Sequence, residues 1–407
     1  MATVVRRAAS VKRSVVKIAV LLACAAVAAP AHAAEDVVIG AIYPPGAARQ
    51  AIETALEIIN AQHDPLDVLM GKGGGLDRLG GAQLRVVFAD DAGNPAQAAA
   101  AAERLIGAEH VIALIGGAED ATAESISAVA DRHTIPHLSF DAAATGLSQR
   151  NLTWFFRIGP SRSMTAEALL RFLAERQVHT LALVSDDNPA ARDTMAAARK
   201  AAEAASMAIV ADLRVAPAAT LAAEALVIAG AKPDAVVTSL AVGDAMMLVR
   251  RLAEQQVNTL LAGSGAGMTA PEFLIGLGTA AQGAFITDGF AADAVKARPM
   301  IPQVNAAFKA RSGRDLDPAT ARELTGTLLL ADVIDRAGST KPIDLRTALM
   351  ATNAAGAQTV MAWQGVRFDT TGQNVLATPA VQQVQGGAWA TVYPEALAMA
   401  PVLTTGK

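Results

Sequence analysis

The chain has 407 residues, of which 52% are hydrophobic and only 4% aromatic, and its formal net charge is −4. This length exceeds what one hydrophobic core usually organises, so two domains are expected. The acidic balance repels phosphate backbones and argues against a nucleic-acid partner.

Residues 1–34 have the pattern of a secretory signal peptide. Five cations and no acid precede an apolar run, which leads to the small-x-small site Ala31-His32-Ala33. The apolar run of about a dozen residues is shorter than the roughly 20 that span a bilayer. Cleavage after Ala33 would leave 29 Lys and Arg against 38 Asp and Glu, a net charge of −9, in a periplasmic protein.

Cys24, the single cysteine, lies inside this leader. The sequence Leu21-Leu22-Ala23-Cys24 loosely resembles a lipoprotein cleavage box, so a lipid anchor at Cys24 is the alternative to periplasmic release. After cleavage at Ala33 the chain would hold no disulfide, no thiolate nucleophile and no cysteine metal site.

The first half of the chain after the leader alternates apolar strands with helical segments. The predicted strands are 36–42, 83–89, 110–115 and 137–140, and the predicted helices are 47–61, 95–108 and 121–132. Strands that are apolar on both faces predict a parallel sheet covered by helices on both sides. The glycine-rich insert at 71–75 lacks the Gly-x4-Gly-Lys-Ser/Thr spacing, which excludes a phosphate loop.

A second run of the same kind follows. Its predicted strands are 180–185, 207–215, 234–239 and 259–263, and its predicted helices are 190–205, 221–230 and 244–255. Two consecutive runs predict an α/β protein with two doubly wound, parallel-sheet lobes. A single eight-stranded barrel shows the same alternation and stays open as an alternative.

Short segments along nearly the whole chain after the leader carry a resemblance to a known family. They are 38–44, 58–61, 87–95, 113–117, 155–161, 359–361, 368–369 and 389–394. In their order and spacing they resemble the leucine/isoleucine/valine-binding proteins of ABC importers and the related amide and urea binders.

This resemblance implies the type I periplasmic binding protein fold, with two lobes joined by a three-stranded hinge and a ligand in the cleft. Lobe 1 would comprise 35–158 and 289–352, and lobe 2 would comprise 159–288 and 353–407. The function implied is that of a monomeric solute-binding subunit that serves an ABC permease in the inner membrane, without a cofactor or a metal.

The resemblance also maps the ligand-contacting positions of the family onto this chain. They are Glu119, Asp120, Asp141, Ala142, Thr145, Asn188, Ala190, Leu240 and Ser264. In open α/β sheets such loops follow the carboxyl ends of strands, where free N–H groups face the crevice. We therefore expect these nine residues to line the cleft.

The residue types in the first lobe depart from those of the family's amino-acid binders. Glu119 and Asp120 stand where paired serines hold the ligand's α-carboxylate. Asp141 opens a segment where a hydroxyl-rich run is expected, although Thr145 lies nearby. Carboxylates at these positions repel a ligand carboxylate.

The second lobe departs as well. Ala190, after Asn188, and Leu240 stand where aromatic residues are expected, and Ser264 stands where an acid would hold the α-ammonium group. Charge-assisted hydrogen bonds each contribute roughly 1.5–3 kcal/mol, so the loss of two or three strongly weakens the binding of a zwitterionic ligand. We expect a cationic, amide or neutral hydroxylated solute, with Glu119 and Asp141 as acceptors, in place of an ordinary α-amino acid.

Local structure offers another interpretation of the same residues. Asp120 and Glu119 suit the first turn of a helix, where acids meet its positive end. Asp141 and Ser264 suit turns, and Ser264 has a glycine on each side. Both interpretations stay open from the sequence.

Two other classes of function compete with solute import. A periplasmic hydrolase is disfavoured because the histidines are scattered and no nucleophile or metal-binding motif is present. His137, just before a cleft loop, is expected to be a buried core histidine. A ligand sensor or scaffold of the same fold, without transport, is not distinguished from an importer subunit by the sequence.

Overall fold

A computed structural model describes residues 35–216, 220–264 and 266–403 of the chain. The predicted leader and Cys24 lie outside these ranges. Within them, no helix combines the length and the apolar character that crossing a membrane requires.

The first lobe is built on a five-stranded sheet of order β2-β1-β3-β4-β5 in which every pairing is parallel. Its strands are β1 (Val37–Ile42), β2 (Leu84–Ala89), β3 (Leu114–Gly116), β4 (His137–Ser139) and β5 (Phe155–Arg157). Its helices are α1 (Ala47–Asn60), α2 (Pro95–Gly107) and α3 (Asp120–Arg132), and later in the chain α10 (Ile301–Ser312), α11 (Pro318–Ala337) and α12 (Pro342–Met350).

The second lobe is built on a seven-stranded sheet of order β14-β13-β10-β9-β8-β6-β7. Its strands are β6 (Thr180–Asp186), β7 (Ala208–Val215), β8 (Ala235–Ser239), β9 (Leu260–Gly263), β10 (Phe285–Asp288), β13 (Ala380–Gln385) and β14 (Ala388–Tyr393). Its helices are α4 (Arg162–Ala174), α5 (Pro189–Ala204), α6 (Ala222–Ala231), α7 (Val242–Glu254), α8 (Ala266–Thr269) and α9 (Pro271–Leu277). Strand β13 pairs in the antiparallel sense with both β10 and β14. The other pairings of this sheet are parallel.

Both sheets are covered on two faces, which is why a central strand such as β1 is almost entirely apolar. In the first lobe, Ile39 packs with α1 and α11 on one face, while Leu114 packs with α2 and α3 on the other. In the second lobe, Leu183 and Val184 face opposite cores. The doubly wound prediction is confirmed, and the single eight-stranded barrel is wrong because the strands form two separate open sheets.

Capping residues fix where several of the helices begin. Asn94 and Asn188 accept backbone N–H groups at the starts of α2 and α5, each ahead of a proline. Asp317 forms a reciprocal capping box with Thr320 at the start of α11. Because these caps are local in sequence, they set the starts of these helices independently of the rest of the fold.

Three crossings join the lobes, after β5, after β10 and before β13. The third crossing is fastened to the first by amide side chains. Gln373 Nε2 donates to the Gly159 carbonyl at 3.0 Å, and Asn374 Nδ2 donates to the Ile158 carbonyl at 3.0 Å. Two strands of the three-stranded hinge are therefore a hydrogen-bonded unit.

The segment between α12 and the third crossing packs in the first lobe. It contains a short antiparallel pair, β11 (Ala354–Ala355) with β12 (Gly365–Val366). Its fully buried Trp363, together with Val360 and Phe368, belongs to the first lobe's core. The predicted boundary at 352/353 differs from this packing because the chain crosses back only just before β13.

Candidate functional site

The two lobes enclose a cavity of about 610 Å³ at the carboxyl ends of β4, β5, β9 and β10. Phe140, Asp141 and Arg322 line it from the first lobe. Thr194 and Ser264 line it from the second lobe. This is the place where open α/β sheets bind ligands, and its volume is typical of a small-molecule site.

Arg322 is the central charge of the first-lobe wall. Its Nε lies 2.6 Å from Asp141 Oδ1, and its Nη1 lies 3.9 Å from Asp288 Oδ1. Burial lowers the pKa of Arg322, but the two carboxylates outweigh burial and the net pKa is raised. Burial raises the pKa of Asp288, and the Arg322 charge offsets part of that rise. The single guanidinium thus offsets only part of the charge of the two carboxylates.

Glu323 and Tyr43 lie beneath this wall, 1% and 4% exposed. The Tyr43 hydroxyl and the Glu323 carboxyl group are buried beside each other, and Glu323 also lies beside Asp141, so hydrogen bonding among these side chains affects their pKa values. Burial, followed by the charge of Asp141, raises the pKa of Glu323 well above 4.5. Burial and the nearby Glu323 raise the pKa of Tyr43 as well. A neutral acid under the wall avoids the cost of a buried, unpaired charge.

Hydroxyl groups dominate the second-lobe wall. Thr165, Thr194, Ser264 and Thr287 all line the cavity. Thr287 is 8% exposed, and its hydroxyl has no hydrogen-bond partner among the residues described. The hydroxyl oxygen is buried, so a ligand in the cavity reaches it only when the Thr287 side chain rotates.

An ion-paired link joins the lobes at the edge of the cleft. Asp120 Oδ2 lies 2.7 Å from Arg162 Nη1, which also lies 3.3 Å from Asp193 Oδ2. Asp193 in turn accepts the backbone N–H of Thr145 at 2.9 Å. Arg162 and Asp193 belong to the second lobe, so the link couples its helix starts to first-lobe loops.

The structure places two of the nine predicted contact residues, Asp141 and Ser264, on the cavity wall. Asp120 begins α3 and takes part in the interlobe link, while its other oxygen binds the next loop. Thr145 lines a second cavity of about 680 Å³ beside the first and third crossings, with Asp193 and Gln373.

The other five residues lie outside both sets of lining residues. Glu119 is exposed at the start of α3 and makes no side-chain cap. Asn188 caps α5, and Ala190 lies exposed in its first turn. Ala142 and Leu240 are 2% and 6% exposed and pack in hydrophobic clusters.

Sequence reasoning missed Arg322, Asp288, Arg162 and Thr287. Arg322 lies 181 residues from its partner Asp141, so no local spacing indicates the pair. Arg162 follows directly after Ser161, the end of a segment that carried the family resemblance, and this position could have been identified. Thr287 and Asp288 end a strand that the apolar pattern did not identify.

His137 is buried as predicted, with 0% exposure. Its Nε2 lies 3.1 Å from the Gly116 carbonyl, and burial lowers its pKa to about 4. In the described ranges, no cluster of three or more His, Cys, Asp or Glu side chains could hold a metal ion.

Solved structures share this fold at low identity. An ABC transporter substrate-binding protein from Desulfitobacterium hafniense, in complex with Leu, has a TM-score of 0.72 and 19% identity, covering 88% of this chain and 100% of that one. The branched-chain amino acid transporter substrate-binding protein from Streptococcus pneumoniae, in complex with isoleucine, has a TM-score of 0.69 and 20% identity. The match covers 88% of this chain and 100% of that one. A leucine-binding protein from Thermotoga maritima has a TM-score of 0.68 and 17% identity, with 88% of this chain and 97% of that one covered.

A search of curated proteins finds no match. The family model described as periplasmic binding protein matches residues 40–388. With most of its length matched and two α/β lobes around a cleft, the chain belongs to the periplasmic binding protein family.

Proposed function

We propose that this protein is the periplasmic solute-binding subunit of an ABC importer and captures a small polar solute between its lobes. The observation that carries the proposal is the interlobe cavity of about 610 Å³, which has polar groups on both walls. Its unpartnered Thr287 hydroxyl supplies an unused hydrogen-bonding position when that side chain rotates. The protein acts as a monomer that delivers the solute unchanged to a permease in the inner membrane.

The charges of the cavity favour a solute with a cationic, amide or hydroxylated group over an ordinary α-amino acid. Asp141, Asp288 and Asp317 line it against Arg162 and Arg322, which leaves an excess of acid. Arg322 is already held by Asp141 and Asp288, and Arg162 by Asp120. Asp141 is the acceptor that we assign to the solute, whereas Glu119 lies away from the cavity.

The proposal is tested by a thermal-shift panel of amino acids, polyamines, amides and polyols on the purified protein. A solute at a hundred times its Kd stabilises the folded state by about 2.7 kcal/mol, which is measurable as a rise in Tm. Small-angle scattering should show a smaller radius of gyration when the lobes close on that solute. A panel without any shift, or a shift without closure, contradicts solute capture.

Asp141→Asn tests the assignment of the acceptor. The loss of one charge-assisted hydrogen bond should lower the affinity for a cationic solute by about ten- to a hundred-fold. Asp212→Asn is the matched control, because Asp212 is exposed and pairs with Arg199 away from the cavity. If leucine or valine gives the largest shift, the proposed ligand class is wrong, although solute capture stands.

A further inference from the structure

We propose that Asp120 is a resident carboxylate that fills an anion-binding corner at the edge of the cleft and thereby selects against solutes that place a carboxylate there. The inference rests on the proposed function and concerns the selectivity of the same site. It starts from the unusual position of Asp120, which opens α3 yet directs its side chain to the neighbouring loop.

The corner begins with two consecutive backbone donors. The N–H groups of Ala143 and Ala144 donate to Asp120 Oδ1 at 2.9 and 2.8 Å. Ala143 also lines the cavity, so the donor pair lies at its edge. A pair of converging N–H groups is a binding arrangement for one oxygen of any carboxylate.

Arg162 completes the corner. Its Nη1 lies 2.7 Å from Asp120 Oδ2, and its side chain is 17% exposed. Its backbone N–H donates to the Ala143 carbonyl at 2.9 Å, which fixes the start of α4 against the same loop. Two amide donors and a guanidinium thus receive both oxygens of one carboxylate, and Asp120 supplies it.

A solute carboxylate cannot use this corner while Asp120 remains there. Entry would displace Asp120 from the donors and place a second anion beside an arginine that already faces Asp193 at 3.3 Å. Without the Asp120 side chain, the same donors would form an open site for a free carboxylate. The selectivity therefore resides in one residue, and its removal should convert rejection into binding.

Asp120→Ala with sodium acetate as the probe tests this inference. Acetate should raise the Tm of the variant by several degrees against sodium chloride at equal ionic strength, with a Kd for acetate at least ten-fold lower than that of the wild type. Asp120→Asn should respond little, because its amide oxygen still fills the donor pair. If Asp120→Ala does not fold, Asp120→Ser is used, since its hydroxyl can accept one N–H and leaves room for acetate.

Asp131→Ala is the matched control. Asp131 lies near the other end of α3, and its Oδ1 accepts the consecutive N–H groups of Thr153 and Trp154 at 2.8 and 3.0 Å. An acetate response of Asp120→Ala no larger than that of Asp131→Ala or the wild type overturns the inference. Wild-type binding of leucine through its carboxylate at this corner also overturns it and leaves solute capture intact, whereas a silent solute panel leaves the acetate result unaffected.

Discussion

The two walls of the cleft use different chemistry. The first-lobe wall carries fixed charges, with Arg322 held between Asp141 and Asp288 of the adjoining crossing. The second-lobe wall presents mainly hydroxyls, including Thr194 and Thr287. Its arginine, Arg162, is paired with Asp120. Charges at fixed positions select solutes by their charge. Hydroxyl groups can either donate or accept hydrogen bonds, so they are compatible with solutes of different charge.

The largest effect should come from removing the central charge of the first wall. Arg322→Met leaves Asp141 and Asp288 buried without their cation, and breaking a buried ion pair costs about 3–5 kcal/mol of unfolding free energy. Urea denaturation measures the loss.

Arg199→Met is the control for that loss. Arg199 and Asp212 form an exposed pair, and exposed pairs contribute at most about 1 kcal/mol. Equal losses for the two variants would contradict the contrast between a structural charged wall and surface ion pairs.

A buried histidine of the first lobe should contribute to the acid response. His137 stays neutral in the folded state since burial lowers its pKa from 6.5 to about 4. The contribution of His137 to the free energy of unfolding is complete above pH 6.5. As the pH falls from 6.5 towards 4, the unfolded chain binds a proton at this histidine and the folded chain does not, so the free energy of unfolding decreases by up to about 3 kcal/mol.

The contribution of His137 is tested by unfolding curves between pH 7 and pH 4. His137→Gln should flatten the acid decrease, since glutamine can still donate to the Gly116 carbonyl and does not titrate. An unchanged pH profile in this variant would show that other groups carry the acid response.

The smallest effect should come from the hydroxyl wall. Thr287→Val removes an unpaired hydroxyl, so the Tm should not fall, while affinity for a solute found by the panel should drop about two- to ten-fold. Thr325→Val removes another buried, unpartnered hydroxyl, on α11 and outside the lining residues, and should leave affinity unchanged. Equal affinities in both variants would place the solute away from Thr287.

The sequence predicted the elements whose signals are local. The strand expected at 36–42 is observed as Val37–Ile42, and the helix expected at 95–108 is observed as Pro95–Gly107 behind its Asn94 cap. Apolar periodicity gave no indication of the antiparallel pair β13 and β14. The pairing of β13 with β10 depends on the third crossing, which no local pattern indicates.

The site was less predictable than the fold, because its contacts join distant segments. Asp141 and Ser264 follow strand ends and could be found that way. Their environments could not, because Asp141 pairs through one oxygen with an arginine far along the chain. Asp120 suited a helix cap by composition, yet its side chain binds the loop at 143–144, a contact set by tertiary packing.

The fastened crossings have a consequence for how the lobes swing. Since Gln373 and Asn374 tie the third crossing to the carbonyls of the first, we expect these two strands to bend together. Lobe opening then follows a single angular coordinate. Pairs of spin labels placed across the cleft mouth should report one correlated distance change, and independent changes would show that the tied strands separate.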